Sequence, residues 1–195
     1  MFSSHRLPAL LATAAVSAIA ATALVMSGPA AVAKPASITT SYGCAPFDQY
    51  PVTGTTSVNL PGQVKAGRLV SDRQVKVRVT VPAQIVAAMR QYLGVTAISG
   101  KATKASYRIG AKKVPLTGLV LPRTQLPARG SVTLVATGTA QGFTLSNPGT
   151  YAVKVPLSFR LHAANQDGEP IPGTPLSCSL ASGAPSKLGS IKVVG

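Results

Sequence analysis

Apolar and polar side chains alternate at every second residue through most of this chain, most clearly where Val75, Val77, Val79 and Val81 interleave with Lys76, Arg78 and Thr80. Successive side chains of an extended backbone point to opposite faces, so this segment predicts a strand with one face in a core and one in water. The same period recurs at Ile38, Thr40, Tyr42 and Cys44, and from Val52 to Leu60, where Pro61-Gly62 ends it as a turn. Thr103, Ala105, Tyr107 and Ile109 face one way and Lys104, Ser106 and Arg108 the other; with Gly110 to Lys113 as a turn and Val114 to Leu121 returning, they predict a hairpin. Pro122 and Pro127 with Arg129-Gly130 read as a loop. Val132 to Gly138 and the short apolar Phe143 to Leu145 follow. Val153, Val155, Leu157, Phe159 and Leu161 read as one long strand, Thr174 to Leu180 as another, and Leu188 to Val193 as a last edge strand.

One segment breaks the two-residue period. From Pro82 to Leu93, the residues Ile85, Val86, Met89 and Leu93 recur at three and four spacing, with Pro82 at the first helical position and Gly94 at the stop. This predicts one short amphipathic helix packing its Met and aliphatic stripe on the core. Further on, the turn Asn147-Pro148-Gly149-Thr150 feeds Tyr151, the pattern of a tyrosine corner, in which the hydroxyl bonds back to the backbone. About nine short strands with one helix around 82–93 predict an all-β chain, an immunoglobulin-like antiparallel β-sandwich.

The first 33 residues stand apart from that pattern. Met1 to Pro8 carries Arg6 and no acid, Ala9 to Met26 is uncharged and rich in Ala, Leu and Val, and Ala31-Val32-Ala33 supplies small residues at a cleavage position. This is the plan of a secretory signal, residues 1–33, followed by a short linker, 34–37, and a single domain, 38–195. The apolar run approaches the length that spans a bilayer, so an uncleaved anchor is the alternative. No cysteine stands where a lipoprotein would need one. Export places Cys44 and Cys178 in a non-reducing compartment, where an even count in a small domain favours one disulfide, with two buried free thiols as the alternative.

Charge sharpens the picture of partners. Without Arg6 the chain has 18 basic side chains against Asp48, Asp72, Asp167 and Glu169, a net charge of +14. That excess attracts polyanions, which outside a cell means anionic wall polymers or phospholipid head groups; high solubility is the plainer reason for it. Lys76, Arg78, Lys104, Arg108, Lys112 and Lys113, on the predicted wet faces and turns, are the candidate contacts. Basic residues are not interleaved with aromatics and Trp is absent, so neither a specific nucleic-acid site nor an aromatic sugar platform is expected.

Groups for catalysis are scarce. His162 is the one histidine after the signal, and with Asp167 it forms the only acid/base pair that can be written for an exported enzyme; no Gly-x-Ser-x-Gly turn accompanies it. Asp167 and Glu169 share one turn, and Asn165, Asp167 and Glu169 lack the full spacing of a calcium loop. Two cysteines and one histidine cannot fill a structural zinc site. No metal, cofactor or catalytic residue is expected. Leu121-Pro122-Arg123-Thr124-Gln125 approaches a sortase signal but lacks the final Gly and an apolar tail, while Leu121 to Arg129 is a candidate loop for an inhibitor or partner-binding role.

The order Ser41-Tyr42-Gly43-Cys44, a Val-rich strand, a helix from Pro82, the stretch Leu121 to Pro127, Ser131 to Gly138, Gly149-Thr150-Tyr151 and a late Cys178 resembles a family of secreted actinobacterial proteins. These share an uncharacterised Cys-bracketed β-sandwich, a domain of unknown function. The resemblance implies export, one sandwich and a disulfide between the outer cysteines, and it supplies no active-site residues. The expectation from the sequence is therefore a secreted or wall-associated, monomeric, non-enzymatic binding or structural module.

Overall fold

The structure, a computed structural model, describes residues 33–46, 48 and 50–195; apart from Ala33, the expected signal lies outside the described residues. Fourteen strands and one helix follow in the order β1 (Ala33–Ala45), β2 (Val52–Pro61), β3 (Gln63–Lys65), β4 (Leu69–Val70), β5 (Arg73–Val81), α1 (Ala83–Leu93), β6 (Ala97–Thr103), β7 (Ala105–Ile109), β8 (Lys112–Gln125), β9 (Val132–Ala140), β10 (Phe143–Thr144), β11 (Gly149–Lys154), β12 (Ser158–Ala164), β13 (Leu176–Leu180) and β14 (Lys187–Val194).

The all-β class, the single short helix and the disulfide are as expected, but the architecture is not an immunoglobulin-like sandwich. Eight strands, in the order β8-β6-β12-β13-β1-β2-β5-β9, are antiparallel neighbours, and β9 pairs back onto β8 to close a barrel. A sandwich leaves two open sheets; here β8 serves as an edge for both ends of the sheet, and no edge remains in the ring. Fourteen residues make β8 long enough for two tasks. Its first half, Lys112 to Leu116, pairs with β7, and its second half, Leu119 to Gln125, pairs with β6. Between them Gly118 takes φ 59°, a left-handed conformation that a side chain disfavours, and there the strand turns from one partner to the other. At the same seam a Cβ on Gly138 of β9 would lie 2.8 Å from Leu119 Cα, so only glycine lets the two backbones approach.

From the first half of β8 the sheet continues as a flap, β8-β7-β11-β14-β3, with only the β14–β3 pairing parallel. The inner face of the flap buries Tyr107, Ile109, Val114, Val153, Ile191 and Val193 in one cluster with Val58, Leu60 and Val75 of β2 and β5. A second cluster closes the barrel end where α1 lies: Val86, Val95, Leu126 and Ile171 are buried with Val81, Ile98 and Val132 beside them. The helix ends at Gly94 in the left-handed conformation, as the stop signal predicts. Its apolar stripe is less buried than expected: Val86 is enclosed, while Ile85 and Leu93 face out.

Four sequence expectations change at the level of individual elements. Lys34 to Ser37, expected as a linker, is part of β1 and pairs with Leu60 to Ser57 of β2. The long strand expected through Tyr151 to Leu161 is two strands with different neighbours, β11 beside β7 and β12 beside β6, divided at Val155-Pro156, where proline has no N–H for a ladder. The region Leu121 to Gln125, expected as a loop, is the end of β8. Pro122 is tolerated because a register shift there sets Pro122 and Arg123 opposite Ser99 alone. The last strand, β14, is not an edge, since β3 pairs outside it.

Cys44 and Cys178 are bonded to each other. They stand directly opposite on neighbouring antiparallel strands, β1 and β13, so the bond staples two strands of one sheet and does not clasp two facing sheets.

Candidate functional site

All four acidic residues lie between strands: Asp48 after β1, Asp72 before β5, and Asp167 and Glu169 in the β12–β13 connection. Fourteen Lys and Arg residues lie on strands. Basic side chains of the sheets therefore have no acidic neighbour on their own or an adjoining strand.

The six candidate contacts divide into two groups. Lys76 and Arg78 are two residues apart on the outer face of β5, alternating with buried Val75. They border the hydroxyl-bearing faces of β1 and β2, where Ser37–Ser57, Thr39–Thr55 and Ser41–Thr53 bond across the strands at 3.2, 2.8 and 2.8 Å. A shallow groove of about 400 Å³ beside Arg78 is lined by Thr39, Thr55, Thr80 and Thr133. Arg108 and Lys113 belong elsewhere, on the flap, and the register sets them directly opposite each other on β7 and β8. Lys112 is adjacent, its Nζ donating to the Thr144 carbonyl at 3.1 Å. Lys104 stands between β6 and β7 with φ 57° and joins neither group by strand pairing.

Two residues that sequence reading missed complete the second group. Lys154 of β11 is opposite Arg108, and Lys187 of β14 is opposite Lys154. Lys113, Arg108, Lys154 and Lys187 thus form one transverse row, a cation on each of four successive strands. Their inward-facing neighbours Val114, Tyr107, Ile109, Val153 and Leu188 are buried, which places the row on the outer surface. Like charges directly opposite across strands are destabilising by about 0.2–1 kcal/mol per pair, so three such pairs cost on the order of 1–2 kcal/mol before salt screening.

The other sequence candidates are not drawn together. His162 Nε2 lies 3.3 Å from Thr103 Oγ1, while the Asp167 carboxylate accepts from Gln166 Nε2 at 2.9 Å, so the structure shows no His162–Asp167 bond. The Asn165 side-chain oxygen accepts the backbone N–H groups of Asp167 and Glu169, both at 3.0 Å, which commits it to the turn. Among the described residues no three His, Cys, Asp or Glu side chains are grouped as metal ligands, and no helix is long and apolar enough to cross a membrane. Tyr151 donates to the Asn147 carbonyl at 2.9 Å, the bond of a tyrosine corner, here at the base of β11 in the flap. Tyr42 donates to the Pro156 carbonyl at 2.8 Å, and burial pushes its phenol up to about 12; burial, with the nearby Tyr42 charge, pushes Tyr107 higher still.

Residues 39–189 match the model of a family of unknown function (DUF6801). The chain belongs to that family. The DUF6801 segment includes both cysteines and all four cations of the transverse row. No curated protein and no solved structure matches the chain.

Proposed function

We propose that this DUF6801 protein is a secreted, non-enzymatic module of the cell surface, held there by anionic polymers that meet the basic faces of its sheets. The observation that carries this reading is the segregation of charge: fourteen cations on the strands and no acid among them, in a chain of net charge +15. A merely soluble surface intersperses both signs, whereas here the strands present one sign only. The disulfide suits an exported domain.

Replacing Lys76, Arg78, Lys104, Arg108, Lys112 and Lys113 together by Gln removes six charges. Retention of the purified protein on isolated cell envelope, measured by sedimentation at stepped salt, is expected to fall and to lose much of its salt dependence. Retention that is unchanged in this variant, or that is insensitive to salt in the parent, refutes the reading.

A further inference from the structure

We infer that the row Lys113–Arg108–Lys154–Lys187 is a binding track for a single linear phosphate-bearing polymer lying across the flap strands. This rests on the polyanion reading above and narrows it to one face, one direction and one ligand chemistry. The register places each cation opposite the next: Arg108 with Lys113, Lys154 with Arg108, and Lys187 with Lys154, this last pair just past a β-bulge that leaves Leu188 without a partner. Opposed side chains are about 5 Å apart, so four cations span about 15 Å along a line at right angles to the strands. All four stem from paired backbone, and their spacing is therefore set before any ligand arrives. That spares the protein any backbone ordering on binding and leaves only its four side chains and the polymer to be ordered.

The surroundings favour a thread over a flat surface. On the same outer face the row is flanked on one side by Pro115 opposite Ser106 and on the other by Ala152 opposite Ser190. These uncharged side chains on either side leave the cations as a single line that a narrow chain can follow. A lipid surface would be met better by cations spread in two dimensions, as a membrane presents head groups over an area. Three ammonium groups around one guanidinium fork suit phosphate oxygens: the lysines act as point charges and Arg108 offers paired donors. No strand of the flap carries an acid beside the row, since every Asp and Glu lies between strands. The mutual repulsion in the row is relieved when the anion arrives, which makes binding and the unfavourable spacing two sides of one design.

The test compares two variants of equal charge. Arg108→Gln with Lys154→Gln removes the centre of the row; Arg68→Gln with Arg129→Gln removes two exposed cations that lie between strands. Binding of size-fractionated linear polyphosphate is measured by titration at about 0.15 M salt, alongside vesicles containing phosphatidylglycerol. The row variant is expected to lose about tenfold in affinity and to flatten the dependence of log K on log salt by about 1.4, two contacts at about 0.7 each, with the Arg68 and Arg129 variant changed no more than about twofold. Affinity should rise with polyphosphate length and level off once the chain spans the row. Arg108→Lys with Lys154→Arg should restore binding, and thermal melting of every variant shows that the fold is intact. Equal losses in both double variants overturn the track while leaving general polyanion retention standing. Absence of polyphosphate binding by the parent overturns the track, and vesicle binding in that case assigns the cations to a lipid surface. Absence of both overturns the broader reading as well.

Discussion

Replacing both Cys44 and Cys178 by Ala removes the bond between β1 and β13 and should lower stability by about 5 kcal/mol. The figure follows from the 134-residue separation of the two cysteines, because the crosslink denies the unfolded chain the entropy of an open loop of that length. Alanine is the right replacement: both sites are buried, at 4 % and 1 % exposure, and a serine hydroxyl there would add its own desolvation penalty of about 1–3 kcal/mol. What remains at the seam is a four-residue pairing, Tyr42 with Leu180 through Cys44 with Cys178 to Ala45 with Ser177. The ring's other closing seam, β8 with β9, is interrupted by a register shift between Thr117 and Val120. A domain of this size has a total stability of about 8–15 kcal/mol, so the variant should still fold at room temperature with roughly half its margin lost. Urea unfolding followed by circular dichroism is the assay. The midpoint is expected to fall, the denaturant slope to rise because the open chain exposes more surface, and Tm to drop by about 10–20 °C. Parent protein reduced under denaturing conditions should unfold like the double variant. A loss below about 1 kcal/mol in both samples refutes the loop-entropy reasoning.

Gly138→Ala should destabilise by about 2 kcal/mol, because its Cβ would press on the Leu119 backbone at the β8–β9 seam; an unchanged urea midpoint would show that the seam can spread without penalty. Tyr151→Phe removes the bond to the Asn147 carbonyl and should cost about 1 kcal/mol in the same assay; no loss would mean that water replaces the bond fully. Alkaline titration tests the buried phenols. With Tyr42 raised to about 12 by burial against an ordinary 10.0, the folded state holds its proton more tightly than the unfolded one, so stability is full below about pH 10 and declines as pH rises towards 12. Phenolate absorbance from Tyr42 and Tyr107 should then appear together with the loss of circular dichroism, and its appearance in a still-folded protein would contradict the burial.

Much of this protein is legible residue by residue. The alternation of Val75 to Val81 with Lys76 to Thr80 marks β5 and its wet face, the spacing from Pro82 to Gly94 marks α1, and Asn147 to Tyr151 marks the corner whose hydroxyl bond is present. These succeed because they are local: a strand's two-residue period, a helix's stop and a turn's geometry are set by neighbours in the chain. Local signals misled where a partner strand decided the outcome. Proline at 122 suggested a loop, yet a register shift opposite Ser99 accommodates it within β8; continuous alternation through Val155 suggested one strand, yet β11 and β12 join different neighbours on either side of Pro156.

The barrel and the row of cations belong wholly to that second kind. Nothing in the spacing of positions 108, 113, 154 and 187 announces a line, and two of the four escaped notice because they sit in separate segments with ordinary composition. Pairing brings them side by side, and pairing is fixed by which faces can be buried: a slip of one residue in β11 would turn Lys154 into the core and Val153 into water. Chain chemistry alone settles that these strands exist, which of their faces is wet, and that the protein is strongly basic. The closure of β9 onto β8 and the alignment of single charges into a track are long-range matters of register, decided only when the apolar faces of distant segments find one another.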